Sequence, residues 1–208
     1  MMNNTYKNIK YFIFDFGNVL YEVQHNNMIY GLAKLSGNNL IQSANRKELM
    51  NDVIYDKFEK GGISRNDFLN YLKNKFEIKA SNDEIIEVWD SCLIGLYDFS
   101  YNAILEFKKN GKVALLSNTD EIHHEYFSRE CIDFFKLFDK LYFSHLIHKR
   151  KPDLDIFEYV LENSGLVAEE TLFIDDLETN IEAARKVGMN TYWISKDNTI
   201  LDLLNFFV

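Results

Sequence analysis

The chain has 208 residues, of which 47% are hydrophobic and 26% charged, and a formal net charge of −9. That length buries a substantial core and fits one domain with room for an insertion. The acidic balance argues against a nucleic-acid backbone or an anionic membrane as partner, because neither pairs with a surface lacking a broad basic face; a small anionic substrate needs only one local positive site.

Residues 1–10 are polar and lack the apolar core of a signal peptide. No apolar run approaches the roughly 18–20 residues that span a bilayer. Cys92 and Cys131 are far apart and form no CxxC motif, so both are expected to be reduced packing residues. These features together point to a cytoplasmic protein with no membrane partner. They leave the oligomeric state open.

In chain order, Tyr11–Phe14 is a short apolar run that reads as a buried strand and ends at Asp15-Phe16-Gly17-Asn18. Residues 101–109 carry Ile104, Leu105 and Phe107 at helical spacing and stop at Asn110-Gly111. A strand over 112–116 follows, ending at Ser117-Asn118-Thr119. Residues 141–143 are a weaker strand candidate. Lys149-Arg150-Lys151-Pro152-Asp153 contains the single proline, expected to fix the start of a helix over 154–164. A strand over 171–174 ends at Asp175-Asp176, with Asn180 beyond it. A helix through Ile181, Ala184 and Val187 and a strand over 191–194 follow. The apolar segment 200–208 is expected to dock on the core.

Residues 23–95 differ, with little β-type alternation. Ser64-Arg65-Asn66-Asp67 starts a helix running through Phe76, and Ser81-Asn82-Asp83-Glu84 starts a second running through Leu93. Gly61-Gly62 marks a turn between helices. Strands alternating with helices imply βαβ units and a parallel sheet. The expected fold is therefore α/β, a Rossmann-like three-layer sandwich. Its core is formed by residues 1–22 and 96–208, and residues 23–95 form a small helical cap inserted after the first core strand.

Polar residues at the carboxyl ends of buried strands are where open α/β sheets build their sites. An aspartate after a strand is often only a turn former. Here three acids, a Ser/Asn pair and a lysine recur at successive strand ends, which points to a metal-dependent phosphoryl site. Asp15 can attack phosphorus in line. Ser117 and Asn118 suit a phosphate clamp, and Lys151 suits neutralisation of phosphate and attacking carboxylate. Lys149 and Arg150 are expected to be solvated or to widen a positive mouth. Gly17 and Asn18 form the bend after Asp15, glycine because it permits unusual dihedrals and asparagine because it tolerates positive φ. His123 reads as a packing residue. His25 is placed to reach the mouth of the site.

This order of motifs resembles the haloacid dehalogenase superfamily, most of whose members are phosphatases. The resemblance implies an aspartyl-phosphate intermediate on Asp15 and a small phosphorylated substrate contacted by Phe16, Ser117, Asn118 and Lys151. It also implies Mg²⁺ held by Asp15, the Gly17 carbonyl and Asp176, with Asp175 acting through water. Which of the adjacent aspartates binds directly is implied by the family alone. The superfamily usually carries a second aspartate, a general acid and base, at the position of Gly17. Its loss forgoes a lowering of the barrier by roughly 3–5 kcal/mol. Phe14-Asp15-Phe16-Gly17-Asn18-Val19 and Phe58-Glu59-Lys60-Gly61-Gly62-Ile63-Ser64 are similar to a subgroup that includes bacterial sugar-phosphate phosphatases. A glycine usual in that subgroup three residues before the lysine is His148 here, so that loop is expected to differ. Two alternatives stand beside the phosphatase: a protein that binds a phosphate ligand with weak turnover, and a haloacid dehalogenase.

Overall fold

The computed structural model of the protein describes residues 6–36 and 52–207. Five parallel strands form the central sheet in the order β5-β4-β1-β6-β7: β1 is Tyr11–Phe14, β4 Lys112–Ser117, β5 Lys140–Phe143, β6 Thr171–Asp175 and β7 Asn190–Trp193. Successive side chains of a strand face opposite sides. Phe12, Phe14, Leu115, Leu172 and Ile174 accordingly enter one core cluster, while Ile13, Ala114, Leu116 and Phe173 enter the other. A parallel sheet covered on both faces has no polar side, which is why these strands stand out as continuous apolar runs. Helices α5 (Ser100–Asn110) and α11 (Ile200–Leu204) cover the first face. Helices α9 (Leu154–Ser164) and α10 (Glu178–Lys186) cover the second.

The chain leaves the core after β2 (Tyr21–Val23) and returns through β3 (Leu93–Leu96), which pair antiparallel as a separate two-stranded sheet. Between them lie α1 (His25–Leu35), α2 (Val53–Glu59), α3 (Arg65–Phe76) and α4 (Asn82–Asp90). These helices bury a core of their own around Phe58, Phe68, Leu72 and Trp89. Ser64 caps α3 by accepting from the Asp67 N–H, and Ser81 with Glu84 forms a reciprocal capping box on α4.

Three expectations need correction. The helix expected through Leu93 stops at Asp90, and Leu93 lies instead in β3. The pair β2–β3 is three and four residues long, too short for alternation to register. Its apolar members Val23, Leu93 and Leu96 are held by packing against the larger core. Pro152 lies in the turn ahead of α9, which begins at Leu154 with Asp153 as its N-cap, and the Lys151–Pro152 peptide is cis.

Helix α2 is held down on the sheet side by its following turn. Gly61 has φ +63, and a Cβ there would collide with the carbonyl oxygen of His145 in α8 (Ser144–Ile147). Gly165 has a similar φ of +61 with nothing within 4 Å of a Cβ. Gly61→Ala is therefore expected to cost about 2–4 kcal/mol, combining the left-handed penalty with overpacking. Gly165→Ala is expected to cost about 1 kcal/mol. Urea denaturation of the two variants checks that ranking.

Candidate active site

The carboxyl ends of β1, β4 and β6 and the loop after α8 converge on one cavity of about 580 Å³. Asp15 follows β1 directly, Ser117 and Asp175 end β4 and β6, and Lys151 comes from the loop. Lys151 is 1% exposed. Its ammonium donates to Asp15 Oδ1 at 2.7 Å, Asp175 Oδ2 at 2.8 Å and the Leu116 carbonyl at 2.8 Å. An ammonium has three hydrogens, so all are used within the protein, and its effect on a bound anion is exerted through charge. Burial alone would lower the Lys151 pKa, but the two carboxylates raise it above the usual lysine value.

Asp175 is further fixed by Asn180, whose amide lies 3.0 Å from both carboxylate oxygens, and by the Leu177 N–H at 2.8 Å. Asp176 is less buried. Asn18 Nδ2 approaches its Oδ2 at 3.4 Å, and the Trp193 indole donates to its backbone carbonyl at 3.0 Å. Oxygens of Asp15, Asp175 and Asp176 lie within 4.8 Å of one another. Burial first, then repulsion from Asp175 and Asp176, pushes the Asp15 pKa up to about 8 against the pull of Lys151. Three carboxylates this close repel unless a cation joins them, and a set of hard oxygen donors suits Mg²⁺.

The remaining predicted residues arrive at the same place with altered detail. The Phe16 ring packs against Tyr21, Phe127 and Phe135 at centroid distances of 4.9, 5.1 and 5.5 Å, so only its backbone is available to the cavity. Asn118 exchanges two bonds with the Lys151 backbone, accepting its N–H at 2.9 Å and donating to its carbonyl at 2.8 Å. The Asn118 side chain thus holds the lysine loop. Ser117 Oγ lies 3.4 Å from the Asn118 carbonyl. Gly17 does not adopt positive φ; the left-handed residue of the bend is Asn18, at φ 56. His148 is also left-handed, at φ 57, so the turn forms without a glycine. His25 lines the cavity.

Of the two expectations for Arg150, solvation fails: it lines the cavity, with its charge countered by acids. Its side chain is 14% exposed, and it pairs with Asp56 at 3.0 Å and Glu59 at 2.7 Å, both on α2. Burial of a guanidinium requires carboxylates around it, and these come from a helix about ninety residues upstream, a distance over which no local pattern reports. Lys149 keeps to the surface in a bridge with Asp155.

Sequence reasoning also missed Asp120. This 0%-exposed N-cap of α6 (Glu121–Glu130) accepts from the Ile122 and His123 N–H groups at 2.9 and 3.0 Å and from the Trp89 indole at 3.1 Å. Its position directly after Ser117-Asn118-Thr119 was the available signal. His123, buried as expected, points Nδ1 at Asp120 Oδ2, 3.3 Å away, and Nε2 at the Trp89 carbonyl, 3.0 Å away. Burial would lower its pKa, but Asp120, together with Cys92 and the Trp89 carbonyl, lifts it to about 10. A raised pKa stabilises the fold in full below the unfolded value of about 6.5, and the contribution fades as pH climbs through the folded value. The stability advantage of wild type over His123→Gln is expected to be largest at pH 6 and to shrink steadily toward pH 10. Urea midpoints across that range read it.

With this geometry in place, comparisons with known proteins are specific. A family description, haloacid dehalogenase-like hydrolase, matches residues 9–188. A D-ribitol-5-phosphate phosphatase from Bacteroides thetaiotaomicron is 28% identical over 192 residues, covering 88% of this chain and 91% of that protein. A sesquiterpene phosphatase from Aspergillus oryzae is 30% identical over 154 residues, covering 68% and 72%. The crystal structure of a haloacid dehalogenase family enzyme from Bacteroides thetaiotaomicron, a variant in complex with magnesium and inorganic phosphate, has a TM-score of 0.83 at 27% identity, covering 91% of this chain and 96% of that one. The chain belongs to the haloacid dehalogenase-like hydrolases.

Proposed function

We propose that the protein is a Mg²⁺-dependent phosphomonoesterase acting on small phosphorylated metabolites, with sugar and polyol phosphates as the leading class. The observation that carries this reading is the buried Asp15 carboxylate, fixed through Oδ1 by Lys151 beside Asp175 and Asp176 in a cavity large enough for such a substrate. The names of the relatives, phosphatases of a polyol phosphate and of a sesquiterpene, support the reaction and leave the leaving group to be determined.

In this mechanism Asp15 Oδ2 attacks phosphorus, an Asp15–phosphate bond forms, and the ester oxygen departs with its electron pair. Water then attacks phosphorus and releases inorganic phosphate, restoring the carboxylate. Lys151 offsets the charge of Asp15 and Asp175, and the backbone N–H groups of Phe16, Gly17 and Asn118 would meet the phosphate oxygens, the Asn18 N–H being taken by the Tyr21 carbonyl at 2.7 Å. Asp15, the Gly17 carbonyl and Asp176 would hold Mg²⁺, with Asp175 acting through water, and the cation supplies charge neutralisation at the phosphoryl group. Asn180 and Leu177 N–H keep Asp175 oriented for that task. Residues 23–95 act as a cap that excludes water. Gly17 offers no side-chain proton, which favours substrates whose leaving oxygen is already stabilised, such as an anomeric one.

A dehalogenase would use the same aspartate on carbon, but that chemistry gives no reason for three clustered carboxylates, so the cluster favours phosphoryl transfer. A phosphate-binding protein with weak turnover draws its support from Gly17 alone. Phosphate release from p-nitrophenyl phosphate and a sugar-phosphate panel separates the three. Asp15→Asn and EDTA are each expected to lower turnover by at least about 10³-fold, because removing the nucleophile or the charge-neutralising ion removes a transition-state interaction. Turnover that survives both would rule out this mechanism.

A further inference from the structure

Water cleaves an Asp15–phosphate bond quickly only when a nearby group takes the proton of the attacking oxygen. Among the described residues of the cavity wall, the titratable side chains are nearly all engaged elsewhere. Tyr21 donates its hydroxyl to Glu130 Oε2 and Tyr55 donates to Glu59 Oε1, both at 3.0 Å. Glu59 is 2% exposed and ion-paired with Arg150 at 2.7 Å. His123 directs Nδ1 at Asp120 and Nε2 at the Trp89 carbonyl. Lys151 uses all three ammonium hydrogens within the protein. Gly17, two residues past Asp15, presents no side chain. Its φ is not positive and a Cβ there would meet Val23 Cγ2 at 3.4 Å, so the backbone would accept an acid that the sequence does not supply.

A phosphoryl group held in such a wall persists long enough for the leaving group to be exchanged for another molecule. In-line attack opposite Asp15 Oδ2 has one approach, the place the leaving oxygen has just vacated. An alcohol retained there shuts water out, and a well-oriented bound reactant behaves as if its concentration were far above any value reached in solution. The cavity, of about 580 Å³, has room for a small alcohol beside the phosphoryl group. Val23, Leu93, Phe127 and Leu177 on its wall offer water no side-chain hydrogen-bond partner. Microscopic reversibility supplies the acceptor's chemistry: an alcohol that departs well from this site also returns to it as a nucleophile.

Resting on the phosphatase reading above, we propose that the protein is also a phosphotransferase, passing the phosphoryl group from Asp15 to a small polyhydroxylated alcohol in competition with water. The alcohol oxygen bonds to phosphorus. The bond between phosphorus and Asp15 Oδ2 breaks, and its electron pair returns to the carboxylate. The alcohol proton passes to solvent, and nothing is oxidised or reduced. A phosphorylated donor and an alcohol acceptor thereby exchange one phosphoryl group without release of inorganic phosphate. Gly17 sets the partition: with an acid at that position, hydrolysis would outpace the exchange of leaving group for acceptor.

The test uses p-nitrophenyl phosphate as donor and ribitol as acceptor, at initial rates. The p-nitrophenol formed counts the phosphoryl groups taken up, and inorganic phosphate counts those lost to water. On concentration alone, ribitol at about 0.1 M against water at about 55 M would capture only about 1% of them. An acceptor bound in the cavity is expected to lower the ratio of phosphate to p-nitrophenol from one to about 0.7 or less, with ribitol phosphate appearing by phosphorus NMR. Methanol at the same concentration, too small to be retained, is expected to leave the ratio near one. Gly17→Asp is expected to bring the ratio with ribitol back toward one; the wild-type ratio decides alone if that variant does not fold. A wild-type ratio indistinguishable from one would overturn the inference. So would transfer that begins only in His25→Gln, because His25 on the cavity wall would then be activating water in the wild type. Failure of the phosphatase reading shows differently: p-nitrophenol release would survive in Asp15→Asn whatever acceptor is present.

Discussion

One buried ammonium holds the site together. Lys151 Nζ ties Asp15 at the end of β1 to Asp175 at the end of β6, and anchors both to the Leu116 carbonyl on β4. Three adjacent strands thus meet on one cation. An unpaired buried charge costs several kcal/mol, so the ammonium and the two acids stabilise one another. The lysine is itself placed by the Asn118 side chain, which holds the Lys151 backbone in register with the end of β4. The electrostatic centre and the sheet topology are therefore one arrangement: the parallel order β4-β1-β6 puts the three strand ends side by side.

The same loop joins the core to the helical insert. Arg150 reaches Asp56 and Glu59, Lys60 bridges to Asp153 at 2.9 Å, and His148 Nδ1 meets the Lys60 carbonyl at 2.9 Å. A second junction forms where the Trp89 indole reaches Asp120, directly beyond the Ser117-Asn118-Thr119 turn. Helices α2 and α4 are thus each tied to a loop of the core, α2 to the lysine loop and α4 to the turn after β4.

Much of this was legible in the sequence because parallel strands buried on both faces leave uninterrupted apolar runs. Tyr11–Phe14 and Thr171–Asp175 announce themselves in that way, and each delivers an aspartate at its end. The helices α3 and α4 were legible through their capping serines. The short pair β2–β3 was not, because three or four residues cannot display a period. Long-range ion pairs escaped for a different reason. Nothing near Arg150 in sequence reveals that Asp56 and Glu59 will neutralise it, so Arg150, read as solvated or as widening a positive mouth, becomes an ion-paired part of the cavity wall. The bend after Asp15 was half legible: its left-handed residue is Asn18, while Gly17 leaves room for a side chain, with a Cβ there 3.4 Å from Val23 Cγ2. The glycine is thus a chemical choice, the absence of an acid, more than a conformational requirement.

That absence makes the central claim directly measurable. Without a base at position 17 to activate water, hydrolysis of an Asp15–phosphate bond should be slower than its formation from a good leaving group, so the intermediate should accumulate. Turnover of p-nitrophenyl phosphate with Mg²⁺, stopped in acid and reduced with borohydride, converts an acyl phosphate to an alcohol. The account predicts homoserine in place of aspartate at position 15 in the peptide mass spectrum, preceded by a burst of p-nitrophenol. Turnover with Asp15 unmodified and another residue reduced would contradict it.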